Sequence, residues 1–141
     1  MPIRPTAIQD CMRKNPLTIN QNANILQAVE LIVEYKLTGL TVIDDAARVV
    51  GILSELECLG AILDTIYNDG DAENALVRDV MRTDVNSCAP ETGIIEVAQD
   101  MLRTRQRRRP VLQDGRLVGQ VSSSNVLWAL MEYTRRKAVP A

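Results

Sequence analysis

Apolar positions recur at helical spacing in two stretches of the chain, and the stretches lie 69 residues apart. Ile25, Val29, Ile32 and Val33 fall at i, i+4, i+7 and i+8; Ile94, Ala98, Met101 and Leu102 repeat the stripe. This spacing predicts an amphipathic helix in each stretch, with one buried face. Asn24 and Gly93 stand where N-caps belong, with Gln27 and Glu96 three residues on, which marks a helix start.

After each helix the pattern changes to short apolar runs broken by turn residues. Leu40-Thr41-Val42-Ile43 and Val49-Val50-Gly51-Ile52-Leu53 flank Asp44-Asp45-Ala46-Ala47. Val111-Leu112 and Leu117-Val118-Gly119-Gln120-Val121 flank Gln113-Asp114-Gly115. Asp-Gly is a tight-turn signal, so each pair reads as a hairpin. A closing helix follows each hairpin. The first begins at Ser54 and carries Leu56, Leu59, Ile62, Leu63 and Ile66; the second begins near Ser122 and carries Val126, Leu127, Leu130 and Met131. Short extended pieces, Leu17-Thr18-Ile19 and Val85-Asn86-Ser87, precede the opening helices.

The order strand–helix–strand–strand–helix thus occurs twice. Near-repeats of sequence accompany it. Ile8-Gln9-Asp10-Cys11-Met12-Arg13 returns as Val77-Arg78-Asp79-Val80-Met81-Arg82, an offset of 69 residues. Arg48-Val49-Val50-Gly51-Ile52-Leu53-Ser54 returns as Arg116-Leu117-Val118-Gly119-Gln120-Val121-Ser122, an offset of 68. The lost residue fits in the hairpin turn. We expect an α+β fold of two pseudo-symmetric units packed through their sheets. The first repeat covers 7–67, a linker 68–74, the second repeat 75–133 and a tail 134–141. Units of about 60 residues are marginal alone, so the halves are expected to share a core, and the seam between them is the first place to seek a site.

Composition narrows the classes. Hydrophobic residues are 46% and charged residues 24% of the 141 residues, with 3% aromatics and no Phe, so an aliphatic core is expected. Net charge is −2, but residues 1–70 hold 5 basic and 9 acidic side chains and residues 71–141 hold 11 and 9, giving −4 and +2. Cys11, Cys58 and Cys88 are far apart and no histidine exists, which disfavours a disulfide framework, a zinc site or histidine-based acid–base catalysis. No carboxylate pair or nucleophile–base spacing stands out, so no enzyme and no metal are expected. No apolar run approaches the length that spans a bilayer, and the expectation is a cytoplasmic location.

In order and spacing these motifs resemble a tandem pair of cystathionine-β-synthase (CBS) domains: Asp-x-Met at Asp10-Cys11-Met12 and Asp79-Val80-Met81, Arg109-Pro110-Val111-Leu112, and Gly-h-x-Ser at Gly51–Ser54 and Gly119–Ser122. The resemblance covers about residues 7–133. It implies a regulatory module that holds an adenosine-containing ligand such as AMP, ADP, ATP or S-adenosylmethionine in clefts between the repeats. It also implies pairing into homodimers through helix faces, here Ile62-Leu63-Ile66 and Val126-Leu130-Met131, and action on an unidentified client protein.

The family pattern Gly-h-x-[Ser/Thr]-x-x-[Asp/Asn] places a hydroxyl against phosphate and a carboxylate or amide against ribose. A hydroxyl at a helix N-terminus suits an anion because backbone N–H groups and the helix dipole converge there. Ser122 and Asn125 match; Ser54 and Glu57 depart, because Glu57 is longer than the pattern allows and Ser54-x-x-Glu57 is itself a capping box. The run Arg103-Thr104-Arg105-Gln106-Arg107-Arg108-Arg109 offers planar guanidinium forks, so Arg107, Arg108 and Arg109 are candidate phosphate ligands. Val111 and Ile43 are candidate walls for the adenine, with core positions as the plain alternative. A solvated helix end accounts for other members of the run, and Arg135-Arg136-Lys137 is expected to meet partners or solvent. Nucleic-acid binding through the same run is disfavoured, since no aromatic residue offers a stacking platform. The rival from another class is a ligand-free dimerisation and protein-interaction module.

Overall fold

The computed structural model describes residues 6–68 and 70–138, with the side chains of Ala72 and of residues 136–138 outside that description. The linker residue Asp69 and the side chains of Arg136 and Lys137 therefore lie outside the described residues. The elements are β1 (Arg13–Lys14), β2 (Thr18–Asn20), α1 (Ile25–Glu34), β3 (Gly39–Ile43), β4 (Val49–Ser54), α2 (Glu55–Tyr67), α3 (Val77–Val80), α4 (Ile94–Thr104), β5 (Arg108–Gln113), β6 (Arg116–Ser122) and α5 (Ser123–Ala138). Short 3-10 turns cover Ile8–Asp10 and Ala72–Asn74. This is the expected mixture of helices and sheets.

The chain divides into two compact units, Leu17–Val85 and a second made of the chain up to Pro16 together with the chain from Asn86. In the first, β2 pairs parallel with β3 and β3 antiparallel with β4. In the second, β6 lies between β1 and β5, antiparallel to both. The hairpins follow their turn residues. Asp114 and Gly115 both have positive φ, 54° and 78°, as a two-residue type I′ turn requires. In the first hairpin the Asp44 carboxylate accepts from the N–H groups of Ala46 and Arg48, each at 2.9 Å, and Ala47 adopts φ 63°. Ile43 pairs with Val49 and its counterpart Leu112 with Leu117, so the extra residue of the first copy sits in this turn.

The capping box at Asn24 and Gln27 is formed, each backbone N–H donating to the other side chain at 2.9 Å. The predicted stripes are shifted around the helix. α1 buries Ile25, Ala28 and Ile32, and α4 buries Ile94, Val97 and Met101. Val33 and Leu102 are 70% and 81% exposed. At about 100° per residue they lie well round from the buried centre, on the flank that faces away from the sheet.

The predicted strand Val85-Asn86-Ser87 does not form. The parallel pairing of Ile19 with Val42 survives in the second copy as one isolated bridge, Cys88 with Val111. Two prolines account for the loss. Pro90 stands where Gln21 donates its N–H to the Ile43 carbonyl at 2.9 Å. The Pro110 carbonyl accepts from Cys88 N–H at 3.1 Å, so its missing N–H lies on the side that would have continued the ladder.

Where the opening motifs pack departs from the expected single shared core. The buried residues form two clusters, and each contains a residue from the other copy's opening motif. Val77 joins Ile19, Ile25, Ala28, Ile32, Leu40, Val42, Leu53 and Cys58. Ile8 joins Ile94, Val97, Met101, Val111, Val121, Val126 and Ala129. Val77 N–H donates to the Ala23 carbonyl at 2.8 Å, and its counterpart Ile8 N–H to the Thr92 carbonyl at 2.9 Å. The exchange completes each core and explains why both motifs keep Met and Gly. A Cβ on Gly51 would lie 2.5 Å from Met81 Sδ and 2.8 Å from the Arg82 carbonyl; one on Gly119 would lie 2.7 Å from Met12 Sδ and 3.0 Å from the Arg13 carbonyl. The Asp-x-Met and Gly-h-x-Ser motifs are thus the two halves of one packing contact. The sequence repeat is out of phase with the packed unit.

Candidate functional site

Both closing helices start on the serine that the repeat singles out, but the two starts are chemically unequal. Ser54 is the N-cap of α2. Its backbone N–H donates to Glu57 Oε1 at 2.9 Å, its hydroxyl donates to the same oxygen at 2.8 Å, and Glu57 N–H donates to Ser54 Oγ at 3.2 Å. The hydroxyl proton and the carboxylate are consumed by each other. Glu55 adds a second carboxylate to this first turn, so the positive end of the dipole is already neutralised. Ser54 and Glu57 form the expected capping box.

At α5, Ser122 N–H donates to Asn125 Oδ1 at 3.0 Å and Asn125 N–H donates to Ser122 Oγ at 3.1 Å. The sequence carries no acid here, yet the amide oxygen reaches back and closes a reciprocal box. Serine acts only as acceptor in it. The Ser122 hydroxyl proton and Asn125 Nδ2 have no acceptor among the described residues, and the first turn of α5 has no acidic residue. This helix end keeps its positive character and two donors.

Strand pairing brings two of the three arginines to that end. Arg108 lies opposite Ser122 in the β5–β6 ladder, and Ser123 N–H donates to the Arg107 carbonyl at 2.8 Å. At the matching place in the first unit Gly39 lies opposite Ser54, and Glu55 N–H donates to the Thr38 carbonyl at 3.0 Å. Arginines thus flank one helix start, and Thr38 and Gly39 flank the other. Arg107 is exposed; Arg108 is half-buried and held by a neighbouring group.

Arg109 goes elsewhere. Alternation along β5 turns it towards α4, where its side chain is 4% exposed and paired with Asp100. Nη2 also reaches Thr104 Oγ1 at 3.4 Å, while Nε is buried with no partner among the described residues. Asp100 bridges to Arg103 as well. Arg109 first and Arg103 second hold its carboxyl below the usual carboxylate range. The pair borders a solvent-open cleft of about 770 Å³ that Ser87, Cys88 and Thr92 also line. In the first unit the counterparts of Asp100 and Arg109 are Leu31 and Leu40, Leu40 within its core and Leu31 packed against it. Aligning the two copies reveals this paired exchange of an apolar contact for an ionic one. Asp100 gives no signal in the apolar stripe of its own helix.

Val111 is fully buried in the second core, whereas Ile43 is only half-buried. The three thiols are raised by burial, Cys88 to about 11, with Arg109 opposing the rise. Among the described residues no cluster of three or more His, Cys, Asp or Glu could hold a metal ion, and no helix is long and apolar enough to cross a membrane.

Comparison with known proteins is consistent with these repeats. CBSX2, a chloroplastic CBS domain-containing protein of Arabidopsis thaliana, is 30% identical over 149 residues, covering 87% of this chain and 62% of that protein. The crystal structure of CBSX2 in complex with AMP has a TM-score of 0.79 at 29% identity, covering 93% of this chain and 100% of that one. MJ1225 of Methanocaldococcus jannaschii is 29% identical over 120 residues, which are 85% of this chain and 41% of that protein. The CBS domain pair of MJ0100, in complex with 5′-methylthioadenosine and S-adenosyl-L-methionine, shares the fold with a TM-score of 0.77 at 21% identity, covering 90% of this chain and 98% of that one. The chain spans 41%, 60% and 62% of the lengths of MJ1225, CBSX1 and CBSX2. With residues 8–64 and 77–132 each matching the CBS domain, the chain belongs to the CBS domain family as a tandem pair.

Proposed function

We propose that this chain is a non-catalytic regulatory module that binds an adenosine-containing ligand of the AMP, ADP or ATP class, with its phosphate at the start of α5. Ser122, Asn125, Arg107 and Arg108 receive the phosphate and ribose; Ser54 and Glu57 serve as a cap. The observation that carries this reading is the inequality of the two helix starts. At α5 a hydroxyl proton and an amide N–H₂ have no acceptor among the described residues, beside two arginines. At α2 the equivalent hydroxyl is closed on a carboxylate. An anion gains donors and dipole at the first and meets two acids at the second. The relative CBSX2, crystallised with AMP, supports the ligand class. The ligand regulates a partner by preferring one arrangement of the Arg107–Arg108 segment over others, to the extent of its differential affinity.

Thermal-shift and calorimetric titration with AMP, ADP, ATP, NAD and S-adenosylmethionine test this. A ligand at one hundred times its Kd adds about 2.7 kcal/mol of stability. The double variant Ser122→Ala, Asn125→Ala is expected to lose that shift, and Ser54→Ala to keep it. A shift that survives the double variant overturns the site. No shift with any ligand overturns the sensor reading and leaves the ligand-free interaction module, which the exposed Leu59, Leu63 and Ile66 on α2 favour.

A further inference from the structure

The second unit holds a charged cleft that the α5 start does not use. It lies on the side of β5 towards which Arg109 turns. Ser87, Cys88, Glu96, Asp100, Arg103 and Arg109 are among its lining residues. The wall at residues 87–89 corresponds to β2 of the first unit, Thr18–Asn20, but forms no strand here. The pair Asp100 and Arg109 corresponds to the apolar pair Leu31 and Leu40.

The charges in this cleft are not matched one to one. Asp100 gives Oδ2 to Arg109 and Oδ1 to Arg103. One carboxylate thus serves two guanidinium groups, neither of which receives a two-pronged contact. One positive charge stays uncompensated among the three groups. Arg109 is 3% exposed. Apart from Asp100 its side chain reaches Thr104 Oγ1, at 3.4 Å, and its Nε–H has no acceptor among the described residues. Burying a cation short of acceptors and counter-charge is costly. The neighbouring groups do not make up the deficit. Burial pushes the Cys88 thiol up to about 11, with Arg109 opposing, so it is neutral near pH 7. Glu96 forms no ion pair with an arginine among the described residues. It stands seven residues before Arg103 on α4, about 10 Å along the axis. The Arg103 side chain is 74% exposed, which leaves much of its fork open to the cleft.

We infer that a small oxyanion, a carboxylate or a phosphate, binds in this cleft between Arg103 and Arg109 and supplies the second negative charge that Asp100 alone does not. It meets the open fork of Arg103 and the edge of Arg109 that lines the cleft. Alternation along β5 puts Arg108 and Arg109 on opposite faces, so this site is separate from the α5 start and independent of the nucleotide reading.

Titration of the full chain with sodium phosphate and with sodium acetate, each against sodium chloride at matched ionic strength, tests the site. The readouts are Tm and the Nε–Hε resonance of Arg109, identified by its absence in the variant Asp100→Leu with Arg109→Leu. At least one oxyanion is expected to raise Tm and to shift that resonance saturably. A response to both assigns oxyanions in general, and a response to one assigns phosphate or carboxylate. Arg103→Gln is expected to weaken binding about tenfold, the loss of one charge-assisted contact. The leucine pair is expected to abolish the rise in Tm, and Ser122→Ala with Asn125→Ala to leave both readouts responsive. No response beyond that to chloride overturns the inference. So does a response that Arg103→Gln leaves unchanged, that persists in the leucine pair, or that vanishes with Ser122 and Asn125. Should the leucine pair fail to fold by circular dichroism, Arg103→Gln, on an exposed side chain, decides, and the resonance is identified instead by through-bond assignment.

Discussion

Replacing Gly51 by alanine tests the claim that the Gly-h-x-Ser and Asp-x-Met motifs form one contact. The new methyl would stand 2.5 Å from Met81 Sδ and 2.8 Å from the Arg82 carbonyl oxygen. The sulfur can swing aside. The carbonyl cannot, because it accepts from Ile52 N–H at 2.9 Å while Arg82 N–H donates to the Ile52 carbonyl at 2.8 Å. An ordinary carbon–oxygen contact needs about 3.3 Å, so the two segments must part by roughly half an ångström, straining both hydrogen bonds. Overpacking of this kind costs about 1–3 kcal/mol, and the strained bonds place Gly51→Ala near the upper end, about 2–3 kcal/mol. Gly119→Ala meets its nearest groups at 2.7 and 3.0 Å and is expected to cost less, about 1–2 kcal/mol. For a chain of 141 residues these correspond to falls in Tm of about 7–10 °C and 3–7 °C. Urea unfolding followed by circular dichroism measures both. Adding Met81→Ala to Gly51→Ala is expected to recover only part of the loss, since the carbonyl remains. A Gly51→Ala variant within about 0.5 kcal/mol of wild type, the range of an ordinary surface change, or full recovery in the double variant, would refute the contact.

The Asp100–Arg109 pair is expected to be asymmetric. Asp100→Asn leaves a guanidinium that is only 4% exposed without its counter-charge, whereas Arg109→Leu leaves a carboxylate that is 28% exposed, so the first should lower Tm more; replacing both by leucine, as at Leu31 and Leu40, should restore it. Because the Asp100 carboxyl is held below its ordinary value, its contribution is present above the unfolded carboxylate pKa of about 3.9 and is lost as pH falls through the lower folded value; the gap in Tm between wild type and Asp100→Asn should therefore shrink in acid, and a gap that widens refutes the pairing. In the first hairpin, Ala47 at φ 63° sits where glycine is favoured. Relief of about 1–2 kcal/mol, less the roughly 0.5–1 kcal/mol that glycine adds to unfolded-chain entropy, predicts that Ala47→Gly gains about 0.5–1 kcal/mol in urea unfolding.

What could be read from the sequence was local. Helix positions, the capping box at Asn24, the Asp114-Gly115 turn and the place of the missing residue depend on neighbours a few positions apart, and the residues that decide them are adjacent in the chain. The recurrence at 68 to 69 residues carried the family and the correspondence of Ser54 to Ser122. The box at Asn125 was less legible, because it depends on a short amide reaching back across one helical turn rather than on the presence of an acid.

The rest rested on contacts between distant segments. Ile8 enters the core built by α4 and β5, and Val77 that built by α1 and β3, because each core is one apolar residue short without the motif from the other copy. No periodicity within a segment records such an exchange. The same holds for Arg109: its sequence neighbours make it part of a basic run, but the alternation of β5 turns it towards Asp100 on α4, leaving Arg107 and Arg108 beside Ser122. The chain alone determined two copies of one unit and two serine-capped helices. Which motif completes which core, and which arginines face the α5 start, followed from tertiary packing, since burial of an apolar or charged side chain depends on what the folded chain brings against it.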